Sequence, residues 1–405
     1  MDSAPVILAR ALGDFTQWAL GRALAAGVRR LYFLSRDGWY PFRLGEALCR
    51  GWDLPIECRY LYGSRRAWRL PLAHRDPARL VGQLCGKGGG ATLGEILFQA
   101  GLSPREAGAA AASLGLPQEL PLSPGQRREL APRLLACPAF LHPMEAASRR
   151  AVGPFLGYLR QEGLGEDVPW AVVDSGWMGS IQDTLGEALT LLGRPGSPRG
   201  YYAGLYRAPR RGQWEGFFFQ PGERLAIQAG FEPSLWEAAF AAPHGTVLGY
   251  GPRDGGFVPL LGEARPSPAA ARLEEAFTQW GEHLARQPRP RDLVSHARRD
   301  LPGLWAELRP LMAHPTGEQA ALLGRLPFSQ GSRERLGERL APRLSQGELA
   351  GSCLLPRLLG REAASSWLPG SAARSVPQPE KWFAAFDRLR LARALSFGLR
   401  EGRER

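Results

Sequence analysis

Lysine is almost missing from this chain: Lys87 and Lys381 are its only two, so nearly all of the 51 basic side chains are arginine. Cysteine and histidine are sparse too, five and six among 405 residues. Cys49, Cys58, Cys85, Cys137 and Cys353 form no C-x-x-C pair, which argues against zinc knuckles, dithiol redox motifs and disulfide frameworks and leaves reduced, mostly structural thiols. No histidines stand at H-x-x-x-H or H-E-x-x-H spacing, so any metal is expected to arrive with a substrate rather than on dedicated ligands. Apolar runs fall short of the roughly 20 residues that span a bilayer. The first 30 residues interleave Asp2, Asp14 and several arginines with apolar side chains, unlike the basic-then-apolar order of a secretory leader. The chain therefore reads as soluble and cytoplasmic.

With 44% apolar and 22% charged residues, the chain can bury the core of two domains, or of one large domain with insertions. Its net charge of +12 favours anionic partners such as phosphates, acidic glycans or lipid headgroups, because a long-range field acts on any negative ligand. A merely solvated basic surface accounts for the charge equally well, and nothing marks a specific nucleic-acid partner.

Apolar residues at helical spacing from Val6 to Leu24 stop at Gly27, a suitable helix end. The short apolar run Leu31–Leu34 predicts a strand, broken at Asp37-Gly38 before a second helical pattern through Phe42, Leu44 and Leu48. Ile56 to Tyr62 reads as another strand. Residues 69–150 turn rich in Ala, Leu, Gly and Pro, with a glycine cluster from Gly86 to Gly90 around Lys87, and read as a helical insertion or cap. A helix over about Val152 to Glu162 leads to a buried-type strand, Trp170–Val173, ending at Asp174, with a helix from Ser180 behind it. Strand-like runs at Tyr201–Tyr206, Glu215–Phe219, Thr246–Tyr250 and Phe257–Leu261 extend the expected sheet to about residue 262. The divisions expected are an α/β core from 1–68 and 151–262, the insertion, and a helical C-terminal region over 263–405.

In an open α/β sheet, ligands bind beyond the carboxyl ends of the strands. Two turns occupy that position. Asp174-Ser175-Gly176-Trp177-Met178-Gly179-Ser180 carries glycines that admit an anion to the backbone N–H groups, and Ser180 is placed to cap the helix and donate to phosphate. Asp174 at the strand end suits sugar hydroxyls or a hydrated Mg²⁺. Ser35-Arg36-Asp37-Gly38 sets a guanidinium beside a carboxylate, a pairing that fits a pyrophosphate with its metal, and Arg65 and Arg66 after the next strand add positive charge. Taken singly, an Asp-Gly turn is more often only a turn and an Arg pair a solvated edge.

The segment Trp170 to Ser180 resembles the phosphoribosyl-diphosphate (PRPP) binding loop of type I phosphoribosyltransferases, and Leu34-Ser35-Arg36-Asp37-Gly38 resembles that family's pyrophosphate loop. More closely, the trio Phe33–Gly38, Tyr60–Arg66 and Asp174–Ser180 resembles a region fused to HAD-type phosphatases in bacterial surface-polysaccharide clusters. That likeness runs from about residue 5 to 262 and takes in Glu237 and Ala242–Tyr250. It implies a parallel-sheet, phosphoribosyltransferase-like core that transfers 5-phosphoribosyl from PRPP to a hydroxyl of a polysaccharide or lipid-linked glycan, with a separate HAD-type phosphatase acting later. By this resemblance Asp174 would hold the ribose hydroxyls, residues 176–180 the 5-phosphate, and residues 35–38 the Mg-pyrophosphate. Asp37 and Asp174 would meet the Mg²⁺ that comes with the donor, and no tightly bound organic cofactor is implied. The sequence departs from the family at Ser175, where a second acidic residue is usual, and at bulky Trp177 and Met178.

A HAD phosphatase itself needs a D-x-D motif after its first strand, which neither Asp37 nor Asp174 provides. A non-catalytic phosphosugar or polyanion binder, or a hydrolase partner, stays open as the alternative. Ser64 with Arg65 and Arg66 completes the expected ligand set. His244 and Glu237 are rival candidates for the base that takes the acceptor proton, against the plainer readings of a loop histidine and an exposed helical glutamate. The basic, apolar tail from Lys381 to Arg405, with Trp382, Phe383, Phe386, Leu389 and Leu395, either touches the inner membrane face or packs on its own domain.

Overall fold

The computed structural model describes residues 3–86, 92–194, 196, 198–328, 338–353 and 363–404, with the side chains of residues 3 and 393–404 excepted. Lys87 with the glycines after it, and the Leu395 side chain, lie outside the described residues. The chain is α/β. Five parallel strands, β1 (Arg30–Leu34), β2 (Glu57–Leu61), β3 (Trp170–Trp177), β4 (Arg199–Leu205) and β5 (Gln213–Phe219), stand in the order β2-β1-β3-β4-β5.

Alternate strand residues supply two cores, the expected result for a parallel sheet covered on both faces. Leu31, Phe33, Ala171 and Val173 face one layer of helices, whereas Tyr32, Leu34 and Val172 face the other. The first layer contains α1 (Ser3–Ala25) and α2 (Trp39–Gly51). On the second face, Phe155, Tyr158 and Leu159 of the long helix Pro138–Gln161 pack with Leu185, Ala188 and Leu189 of the helix Ser180–Leu191.

Three expectations need correction. The strand-like runs after residue 245 do not extend the sheet: among the described residues Val247–Arg253 and Gly256–Leu261 pair with each other alone, as an antiparallel hairpin closed at Asp254-Gly255, a favoured turn pair. Strand propensity names the element and not its partner, and Val247 and Tyr250 are instead buried against the second face of the sheet. The C-terminal helices are not a separate region either. Leu273 and Phe277 of the helix Pro268–Arg286, Leu293 of Leu293–Arg298, and Leu304 and Leu308 of Leu301–Ala313 are buried in the same core as α1, α2 and β1.

The third concerns the insertion. It has a core of its own, including Val81, Leu93, Ile96, Leu97, Leu130, Leu134, Phe140 and Met144. Its expected boundary at residue 150 nevertheless falls inside the helix Pro138–Gln161. That one helix gives Phe140 and Met144 to the insertion and Phe155 and Tyr158 to the sheet, so the two cores share one element.

Among the described residues, no helix is long and apolar enough to cross a membrane. The tail helix Glu380–Glu404 packs Phe383, Phe386 and Leu389 into a small core with Leu349, Leu368 and Ala372. Arg390 secures it, donating to Glu232 at 3.0 Å and to the Met312 carbonyl at 3.1 Å.

Candidate functional site

Strand order decides where a ligand has room. The chain leaves β1 for β2 on one side and returns to β3 on the other, so the connections after β1 and β3 diverge and leave a crevice at their carboxyl ends. Register deepens it. β1 pairs with β3 only as far as Phe33 opposite Val173, while β3 continues along β4 to Trp177 opposite Leu205. Asp174 is thus inside a strand rather than at its end, on the stretch of β3 that β1 no longer covers.

Asp37, from the turn after β1, reaches this stretch, where the Ser175 hydroxyl donates to its carboxylate. Burial raises the Asp37 pKa, opposed by that hydrogen bond and by the nearby Arg36 and Arg65 guanidinium groups. Asp174 is pushed up to about 8 by burial and by the charges of Asp37 and Glu237, although the backbone N–H groups of Ser175 and Gly176 donate to it. Glu237, on the helix Pro233–Phe240, is pushed up to about 7 by burial and by Asp37, against Arg65, Arg36 and the Trp177 indole N–H at 2.7 Å. It is half-buried, not the exposed glutamate of the plainer reading. Three carboxylates from three separated segments therefore stand close enough for the charge of one to raise the pKa of another.

Beside them lies a cationic wall. The helix Ser180–Leu191 begins at Gly179, which offers no side-chain cap, so its first N–H groups present the positive end of the helix dipole. Ser180 was expected to cap this helix but is its first residue, and its hydroxyl accepts from Arg69 at 3.2 Å. Arg69 is the functional candidate that sequence reading missed. It stands four residues after Arg65 and so shares its helical face, and only the chain's return at residue 180 brings a helix terminus to it. Burial lowers the Arg69 pKa to about 10, with Arg65 and Arg79 adding repulsion, and its Nε has no hydrogen-bond partner.

Several expected ligand contacts have other work. The Ser64 hydroxyl accepts from Ala67 N–H at 3.0 Å and donates to Val247 O at 2.6 Å, capping the short helix Arg65–Arg69 and anchoring the hairpin. Arg66 bonds the carbonyls of Phe98 (3.2 Å) and Leu248 and lies 4.6 Å from the Phe98 ring centroid, so it ties insertion to hairpin. Trp177 packs its ring among Tyr206, Phe219 and Phe231 and donates its N–H to Glu237. Met178 is exposed. Gly176 and Gly179 have positive φ, and a Cβ on Gly179 would meet Pro209 at 2.6 Å, so Gly179 adjoins protein rather than open space. Gly38 is equally tight, packed on the Leu34 backbone, while Ser35 N–H reaches across to Leu61 O at 3.1 Å.

His244 sits among Trp39, Tyr60 and Tyr62. Its Nδ1 lies 2.8 Å from the Gly245 carbonyl, which can only accept, so Nδ1 carries the proton and Nε2 accepts from the Tyr60 hydroxyl at 2.8 Å. Both ring nitrogens are thus engaged within the protein. Arg36 and His244 line a pocket of about 170 Å³ together with Tyr40, Glu274 and Phe328.

No protein-family model matches the chain, and no curated protein matches it. The functional reading stands on the crevice itself.

Proposed function

We propose that the chain is a phosphoribosyltransferase-type glycosyltransferase that moves 5-phosphoribosyl from PRPP to a glycan hydroxyl. The observation that carries the reading is the meeting, at the β1–β3 crevice, of three carboxylates with an uncapped helix N-terminus and Arg69. A donor with phosphate at one end, hydroxyls in the middle and pyrophosphate at the other needs that sequence of groups. The 5-phosphate sits on the N-terminus of Ser180–Leu191 with Arg69; Asp174 accepts from the ribose hydroxyls; Arg36 and Arg65 face the pyrophosphate.

The site suits Mg²⁺ brought by the donor. Asp37 and Asp174 offer hard oxygen donors that repel each other when no cation is present. Among the described residues no group of three His, Cys, Asp or Glu side chains is arranged to hold a metal alone, and a metal arriving on pyrophosphate needs only one or two protein carboxylates. Asp37 and Asp174 would hold it, and it would neutralise charge on the departing pyrophosphate. In the transfer, the acceptor oxygen bonds to C1 as the bond from C1 to the pyrophosphate oxygen breaks. Pyrophosphate leaves with the electron pair, and the acceptor proton passes to Glu237. The product keeps its 5-phosphate, which is the substrate a separate HAD-type phosphatase would require.

The test is incubation with PRPP and Mg²⁺, following pyrophosphate release and, in parallel, melting temperature, since a ligand of the native state alone stabilises it. Slow release that rises with pH through about 7 in the wild type, and loses that limb in Glu237→Gln, supports the reading. Stabilisation without turnover means a phosphosugar binder, and equal stabilisation by sulfate means a site that reads charge only.

A further inference from the structure

The small pocket behind Arg36 and His244 does not end in the protein interior. Arg265, Pro266, Ser267 and Pro327 line it, and the same four residues line a much larger groove of about 1140 Å³ between the helix Pro268–Arg286 and the helix Gly317–Leu323. The two spaces are therefore neighbours through a common wall, and the smaller is lined by Arg36 and Ala238, the chain neighbours of Asp37 and Glu237. At that volume the groove lies just above the roughly 300–1,000 Å³ of a small-molecule site, room for a ligand of several sugar units.

Its described lining is more basic than acidic. Arg265, Arg272, Arg325, Arg339 and Arg374 line it against three glutamates, Glu263, Glu318 and Glu338. The arginines crowd one another: Arg374 is lowered by burial and then by Arg339, Arg325 and Arg343. Such a cluster is relieved by an anionic ligand, and guanidinium groups match carboxylates and phosphates in paired hydrogen bonds. Among the described residues no aromatic side chain lines the groove, so none of them offers the stacking platforms that hold single-stranded nucleic acid.

We propose that this arginine-lined groove binds the acceptor, and that the acceptor is an acidic oligosaccharide, a sugar chain bearing carboxylate or phosphate groups, whose reactive end enters through the pocket at Arg36 and His244. This rests on the proposed transfer reaction for its direction, though the groove's ligand class can be tested without turnover. Arg272 and Arg325 are exposed and lie outside the crevice, so they can be reversed without touching the donor site.

The probes are hexameric oligogalacturonate, maltohexaose as a neutral chain of equal length, and oligo-dT, titrated calorimetrically into the full chain and into Arg272→Glu/Arg325→Glu, with Arg272→Gln as a milder variant. Oligogalacturonate is expected to bind the wild type, to weaken with added salt, and to lose roughly tenfold in affinity in the double variant, with an intermediate loss in Arg272→Gln. The melting shift with PRPP and Mg²⁺ should be the same in all three proteins. Equal oligogalacturonate affinity in wild type and both variants, or equal binding of maltohexaose, overturns the proposal. Tighter binding of oligo-dT that is lost in the variants overturns it in favour of a nucleic acid. If PRPP gives no shift in any of them while oligogalacturonate behaves as expected, the donor reading fails and the groove assignment holds.

Discussion

Residue by residue, the crevice stores unfavourable electrostatics. Free carboxyl groups titrate near pH 4, whereas Asp174 and Glu237 are pushed up to about 8 and about 7. Between those limits the native state holds more protons than the unfolded chain, so stability falls as pH rises through that window and the penalty is complete above it. The melting temperature of the ligand-free protein should therefore drop from pH 5 to pH 9. Asp174→Asn should flatten that slope, because the amide has no charge to desolvate, while slowing pyrophosphate release on the order of a hundredfold through loss of one charged contact in the transition state. Unchanged release by folded Asp174→Asn would remove the residue from the mechanism. Arg69 allows the opposite test. A buried guanidinium with an unpartnered Nε beside Arg65 and Arg79 costs stability, so Arg69→Met should hold or raise the melting temperature and abolish the shift produced by ribose 5-phosphate. A retained shift would detach Arg69 from the anion cradle. In the sequence, Asp37 and Arg36 were legible from their place after a strand, whereas Asp174 was read as a strand end and lies inside β3. Glu237 was legible only as a rival of His244, since the Trp177 N–H that meets it comes from 60 positions away, and Arg69 became visible only with the helix start it faces.

At the level of elements, periodicity located α1, α2 and the strands, since a chain buried on alternate or helical positions writes that burial into its residue types. It could not give the end of β3. Gly176, at φ 98°, lets the strand pass opposite Gly204 and on to Trp177, where the residue pattern alone reads as a turn. The same geometry changes what glycine variants report. Gly179→Ala must take a left-handed backbone at φ 62° and meet Pro209, so it should destabilise the fold by about 1–2 kcal/mol, read as a lower urea midpoint at unchanged slope. A variant with wild-type stability but lost donor binding would show instead that Gly179 fronts the ligand.

For the whole molecule, the divisions that composition suggested are crossed by shared cores. Pro- and Gly-punctuated helices after residue 266 read as an appendage, yet Leu273, Phe277 and Leu304 complete the layer over β1 and β3, because an amphipathic helix records that it is buried and not against what. The tail obeys the same rule. Its amphipathic basic pattern fits a membrane surface or its own domain equally well, and the structure buries Phe386 to 1% exposure and Phe383 to 7% among Leu349, Leu368 and Ala372. His314 stacks on Phe383 at 5.2 Å and lies 2.9 Å from Asp387, so the helix is fixed by polar and apolar contacts together. Phe386→Asp places a charge in that core and should cost about 3 kcal/mol or more, seen as a lower melting temperature. Its adsorption to anionic liposomes should match that of the wild type, because any attraction of a +12 chain is long-range, comes from the whole surface, and vanishes at high salt. Flotation of the wild type that survives 0.5 M salt (on the order of twice the screening of a 0.1 M buffer, since the Debye length falls as the square root of ionic strength) and disappears in Phe386→Asp would mean that the tail leaves its core to enter the bilayer.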